Sequence, residues 1–256
     1  MRVFWAFFEK EVLERIRSGR IFVLLAVFTA IGILNPATAK LTPWLLETFW
    51  SSIGEGMGEP PTIIPTALDS FTQFYKNIPI GLFALVLLEG GILTKEYASG
   101  TLIAGLTRGL ARHTVLAAKA LSLLSLYTLG YWLCFFVTYG YNAFYFDNSV
   151  AAYPYLAALL YYVFGIFVLA LLLFSSVLAT DTPGVLLLTG SGVLLSYLLS
   201  LIPPVKKYLP TYLADGTSIV YGKSEPRDYI AALIITLALI GVCTIGAFLV
   251  FRKKQV

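Results

Sequence analysis

The chain has 256 residues, of which 58% are hydrophobic, 15% aromatic and only 12% charged, and its mean hydropathy is +0.82. A soluble domain carries about a quarter charged residues, so this composition excludes a water-soluble globular protein and makes lipid the solvent for much of the surface. The formal net charge of +4 lies in short clusters beside apolar runs, a pattern of membrane topology and not of nucleic-acid binding.

Residues 2–20 have helical period. Phe4, Phe8, Val12 and Ile16 recur every fourth position, while Glu9, Lys10, Glu14, Arg15 and Arg17 fill the other side. An apolar face this aromatic predicts a helix lying in the membrane interface. A cleaved signal peptide is the alternative, because an apolar run over 21–34 precedes Ala37-Thr38-Ala39; the long, glutamate-containing leader argues against it.

Six spans follow, at about 20–40, 71–93, 120–143, 155–179, 184–202 and 229–251. The first is predicted to kink at Asn35-Pro36, and 41–70 reads as a loop rich in Gly, Pro and acidic residues. Six spans put both termini on one side. Twelve of the eighteen lysines and arginines lie in the N-terminal segment, in the stretch 94–119 and in the C-terminal tail. The positive-inside rule therefore predicts an all-α polytopic membrane protein with both ends cytoplasmic, as a single domain over residues 1–256.

Candidate sites are few. Gly216 and Gly222-Lys223-Ser224 mimic a phosphate-binding loop, but five residues separate the glycines where four are needed, and Glu225-Pro226 follows. No ATPase is therefore expected in this chain. Cys134 and Cys243 sit in apolar runs as small hydrophobes, and His113 is the only histidine, so neither metal ligation nor nucleophilic catalysis is expected. Glu89 is the one carboxylate well inside a span. Intramembrane acids are functional candidates, yet its depth near the interface also suits a hydrated structural role. Gly184, Gly190, Ser191 and Gly192 in span five, with Gly241 and Gly246 in span six, allow close helix approach. The segment 203–228, with Pro203-Pro204, Tyr208 and Tyr212, reads either as a re-entrant lid over a pathway or as an interfacial helix.

The stretch 94–119 stands out. Lys95, Glu96, Ser99-Gly100-Thr101, Arg108, Arg112 and Lys119 interrupt two apolar runs, with Leu102, Ile103 and Leu106 giving an apolar face. A connector needs only a few residues. The excess predicts a helix that docks a partner, with an interfacial loop as the alternative.

The pattern Lys95-Glu96-x-x-Ser99-Gly100-Thr101-Leu102, then Arg108, Arg112 and Lys119, resembles the membrane subunits of ABC-2 type exporters of bacteria and archaea. The resemblance extends over the whole layout of elbow helix, six spans and re-entrant segment. It departs at Leu106-Thr107-Arg108-Gly109, which lacks the proline many members carry before the Arg. It implies an ABC-2 (type V exporter-like) fold and a second permease subunit, identical or related. It also implies a separate ATPase subunit that binds ATP and Mg, while this chain binds no cofactor. A cytoplasmic coupling helix over 94–113 would dock that ATPase through Glu96, Ser99, Gly100, Thr101, Leu102, Leu106, Arg108 and Arg112, in the cell membrane of a prokaryote. The scarcity of buried charge points to a peptide, hydrophobic drug or lipid-like substrate. A secondary transporter, for which Glu89 is the only support, and a purely structural membrane protein are the competing classes.

Overall fold

A computed structural model describes residues 2–53, 64–101 and 111–253, and these are all-helical with no strand among them. The helices are α1 (Arg2–Arg17), α2 (Arg20–Ile53), α3 (Ala67–Glu89), α4 (Thr94–Ala98), α5 (Arg112–Tyr145), α6 (Pro154–Leu178), α7 (Thr182–Leu199), α8 (Pro203–Lys206), α9 (Gly216–Val220) and α10 (Ile230–Lys253). Six of them, α2, α3, α5, α6, α7 and α10, are long and apolar enough to cross a membrane. The chain is a multi-pass membrane protein.

Local chemistry sets several boundaries. Thr66 and Asp69 form a capping box that opens α3, and the Asp181 carboxylate accepts from Gly184 N at 3.0 Å to open α7. Gly19, at φ +75°, breaks the chain between α1 and α2 in a left-handed conformation that favours glycine. Three spans differ from the sequence reading; the second runs Ala67–Glu89, about four residues earlier at each end than 71–93. The first span does not end near residue 40: α2 runs 34 residues to Ile53. The third span begins at Arg112, so α5 is also 34 residues long and absorbs the end of the expected 94–113 helix. At 1.5 Å per residue each is about 50 Å long, against an apolar slab of about 30 Å.

The prolines of α2 explain why a break was expected there. Pro36 has no N–H for the carbonyl of Gly32, four residues earlier. Thr138 of α5 supplies the missing donor, its hydroxyl lying 3.0 Å from Gly32 O. Asn35 Nδ2 donates to Thr138 Oγ1 at 3.1 Å, and Asn77 Nδ2 donates to Asn35 Oδ1 at 3.0 Å. A hydrogen-bond chain from three spans thus repairs the helix the proline would open.

Packing follows glycines. The Phe28 ring, fully buried, lies between Gly81 of α3 and Gly130 of α5, where added Cβ atoms would come within 2.6 and 2.5 Å of it. Helix α6 is the central span, with 67% of its apolar window buried, whereas α7 and α10 bury only 17% and 11% and lie at the periphery. A tyrosine seam joins α5 to α6. Tyr131 stacks on Tyr161 at 6.0 Å and donates to Ala158 O at 2.6 Å; Tyr127 stacks on Tyr162 at 5.3 Å. Of the small residues in spans five and six, Gly192 faces Leu171 and Gly246 faces Phe174 across ordinary to tight contacts, while Gly190 and Gly241 meet nothing within 4 Å.

Helix α1 and the last turn of α10 lie at one end of the bundle. Arg112, in the first turn of α5, donates to the carbonyl of Phe251 at 3.2 Å, near the last turn of α10. Such a cation offsets the negative end of a helix. At the other end, Ala152 N donates to Val220 O at 2.9 Å, joining the turn before α6 to α9.

Candidate functional site

Helix α1 turns the expected picture inside out. Its protein-facing side is charged: Glu11 and Arg15, one turn apart, are its buried residues, while Trp5, Leu13 and Ile16 are exposed. Phe4, Phe8 and Val12 are half-buried. Phe7 packs against the core, while Val3, Trp5, Leu13 and Ile16 face away from the bundle, where an interfacial helix would meet lipid.

What Glu11 and Arg15 meet is an ion network drawn from four helices. Arg15 donates from Nε and Nη2 to Glu89 Oε2 at 3.0 and 2.8 Å, and from Nη1 to Ser122 Oγ at 2.8 Å. Glu89 is the last residue of α3 and is 1% exposed. Lys119 of α5, also buried, donates to both oxygens of Glu11 at 3.0 Å and lies 3.1 Å from Glu96 Oε1. Lys10 donates to the same Glu96 oxygen at 2.8 Å and reaches Glu11 and Glu14 at 3.1 Å. Glu96 therefore holds α4 against α1 and α5 at once. Glu89 Oε1 and Glu96 Oε2 have no hydrogen-bond partner although buried. A cavity of about 30 Å³ lies among these side chains, space for about one water molecule.

The charges tune one another. Burial pulls Lys10 down, but the bond to Glu96 and the carboxylates of Glu11 and Glu14 outweigh it and hold the ammonium above its ordinary value. Burial likewise raises Glu14, but its bond to Lys10 and the positive charges of Lys10, Lys119 and Arg20 together outweigh that and lower it. The carboxylates of Glu11, Glu14 and Glu96 approach within 4.8 Å of one another, a spacing that a metal ion could bridge. Lys10 Nζ already lies within 3.1 Å of an oxygen of each, so a cation would have to displace an ammonium.

Of the residues expected to dock a partner, Ser99 and Thr101 are exposed and hydrogen-bonded to each other at 2.8 Å, flanking Gly100 at φ +70°. Glu96 is turned inward into the network. Arg112 belongs to α5. Leu102, Leu106 and Arg108 lie outside the described residues. His113 is exposed at the start of α5, as a solvated or headgroup-facing residue would be. Tyr212 stacks on Tyr229 at 4.6 Å and Tyr208 is exposed; they sit with α8 and α9, far from the network. The sequence reading singled out Glu89 and Glu96 separately and passed over Glu11, Lys10 and Ser122. The signal that could have joined them is a Glu-x-x-x-Arg pair on a helix otherwise selected for lipid, together with Lys119 within an apolar run.

Away from the network, an apolar cavity of about 390 Å³ opens between α3, α6 and α7, lined by Leu82, Phe83, Tyr161, Phe164 and Tyr197 among others. No family model and no curated protein matches the chain.

Proposed function

We propose that this chain is the membrane subunit of an ATP-driven exporter of the ABC-2 type. In this reading the end of the bundle that carries α1, α4 and the C-terminus faces the cytoplasm, as the distribution of lysine and arginine favours. A separate ATPase subunit binds beneath the 94–113 stretch, and a second permease subunit completes the pathway.

The observation that carries the reading is the position of Glu96. It lies on a short helix three residues past the turn that ends α3, and it is bonded to Lys10 of α1 and Lys119 of α5. Pushing α4 from below displaces the interfacial helix and two spans together, because the ion pairs are short and mostly buried. The neighbouring Ser99 and Thr101 remain exposed for a partner to hold. Glu89 offers Oε2 to Arg15, so its charge is answered within the chain, which weighs against an ion-coupled carrier built on it. The apolar cavity beside Tyr161 suits a hydrophobic or amphipathic substrate, which the few buried charges also favour.

The test is to tag the chain in its own host, solubilise it mildly and identify what co-purifies. A soluble ATPase lost when Ser99 and Thr101 are replaced by aspartate supports the reading. A preparation without ATPase, under conditions that preserve other membrane complexes, sinks it and makes Glu89 the next residue to test for secondary transport.

A further inference from the structure

The end of the bundle away from the ion network holds a second polar feature. Thr72 and Lys76 of α3 are 17 and 13 residues before Glu89, roughly 20 to 25 Å along the helix. There α3 meets the segment around α9 and borders an open cavity of about 330 Å³. One wall is Thr72, Tyr75 and Lys76; the other is Thr217, Ser218, Tyr221 and Lys223 with Ala214.

We infer that this cavity binds a phosphate-bearing anion between Lys76 and Lys223. The inference is independent of the exporter reading. Two ammonium groups line the cavity and no carboxylate does. Neither lysine takes part in an ion pair among the described residues; Lys223 has only the Tyr221 ring, 5.1 Å away. The acids flanking this segment are Glu225, two residues after Lys223 and engaged in a capping box with Asp228, and Asp215, which is already occupied. Its Oδ1 accepts from Thr217 Oγ1 at 2.9 Å and Ser218 N at 3.3 Å, and its Oδ2 accepts from Ser218 Oγ at 2.8 Å. Those bonds consume the Thr217 and Ser218 hydroxyl protons, which leaves the lysines, Tyr75 and the Tyr221 hydroxyl as donors, the last accepting from Thr72. The Tyr75 hydroxyl has no partner although the residue is 7% exposed.

The walls are fixed. The Tyr75 ring lies against Gly216, where any side chain would collide with it. Thr72 and Tyr221 meet through their hydroxyls at 3.3 Å. Donors on two walls suit an anion whose oxygens diverge, as in phosphate, better than a flat carboxylate. Each ammonium contributes a charge-assisted bond. The cavity is also larger than a bare phosphate, leaving room for an alcohol substituent. Such a group is available from two sources, a free phosphate compound or the headgroup of an anionic phospholipid.

The experiment uses the full-length chain in neutral detergent and in nanodiscs of phosphatidylcholine, with and without phosphatidylglycerol. Inorganic phosphate is titrated calorimetrically against chloride at matched ionic strength, and retained lipid is counted by native mass spectrometry. The variant is Lys76→Gln/Lys223→Gln, both positions being exposed enough to tolerate it. Lys206→Gln/Lys207→Gln removes the same charge elsewhere. The expected result is binding of phosphate, of phosphatidylglycerol or of both by the native chain. Binding weakens about tenfold or more in the first variant, by the loss of charge-assisted bonds, and is unchanged in the second. Phosphate binding in pure phosphatidylcholine discs identifies a free anion. Phosphatidylglycerol retention without a phosphate response identifies a headgroup. Binding of neither probe, or equal losses in both variants, overturns the inference.

Discussion

Arg15 and Glu89 lie 74 positions apart, yet both Nε and Nη2 of the guanidinium bond one oxygen of the carboxylate, at 3.0 and 2.8 Å, in a buried site. This pair fixes α1 to the end of a membrane span. Its two charges have little water to fall back on. Removing one partner of a buried pair typically costs about 3–5 kcal/mol, because the other charge is stranded, whereas replacing both with apolar residues is often nearly neutral. Glu89→Ala is therefore expected to lower the melting temperature of the detergent-solubilised chain sharply. Arg15→Met/Glu89→Leu should recover most of the loss. A double variant no better than Glu89→Ala alone would show that the pair is not the element that holds α1.

The same network predicts a pH window. Glu14 has its folded value lowered, chiefly by Lys10 against its own burial. Its contribution is full above the ordinary 4.5 and is lost as pH falls through the lowered value. Lys10 has its folded value raised, so its contribution is full below the ordinary 10.5 and lost only as pH rises through the raised value. Attachment of α1 should thus be flat between those limits and weaken in acid. Amide hydrogen exchange over residues 2–17, corrected for intrinsic rates, reads it out. Protection that declines smoothly between pH 5 and 9 would contradict the assignment.

Phe28 makes a third prediction. With its ring wedged between Gly81 and Gly130, a methyl group at either glycine over-packs the junction of α2, α3 and α5. Overpacking costs about 1–3 kcal/mol. Gly241→Ala, which meets nothing within 4 Å, should leave stability unchanged or slightly improved. Equal melting temperatures for Gly81→Ala, Gly130→Ala and Gly241→Ala would refute the wedge.

The proline repair in α2 is testable by rescue. Thr138→Val removes the donor to Gly32 O and the acceptor of Asn35, stranding buried polar groups at about 1–3 kcal/mol each. Pro36→Ala restores a backbone N–H for Gly32. It should be worth more in the Thr138→Val background than in the native chain. Equal gains in both backgrounds would show that Thr138 does not substitute for the missing N–H.

How much of this was written in the residues depends on the kind of signal. Spans four, five and six were legible to within three residues at each end, because uniform hydropathy ends at cap residues such as Asp181 and at Pro154. The ends of α2, α3 and α5 were not. Pro36 reads as a break only when Thr138, a hundred residues later, is left out of account. The charges of α1 have the spacing of the polar side of an amphipathic helix. A buried ion network and a solvated face use the same residues at the same spacing, and only the tertiary positions of Glu89, Glu96 and Lys119 distinguish them.

The last prediction separates holding a partner from transmitting its motion. In the proposed exporter, Ser99 and Thr101 are exposed and available to an ATPase, while Glu96 points inward to Lys10 and Lys119. Glu96→Gln weakens both ionic contacts without altering the exposed surface. It should leave the ATPase bound at native stoichiometry while abolishing the ATP-dependent distance change between spin labels on α3 and α7. Ser99→Asp/Thr101→Asp should do the reverse at the first step and release the ATPase. Hydrolysis by the bound ATPase, measured in proteoliposomes, should persist in Glu96→Gln, uncoupled from movement of the spans. If Glu96→Gln instead lowers thermal stability as much as Glu89→Ala and sheds the ATPase, Glu96 is part of the scaffold and transmits nothing. The two arms differ because the carboxylate lies behind α4, on the side facing the spans, and the hydroxyls lie beyond it.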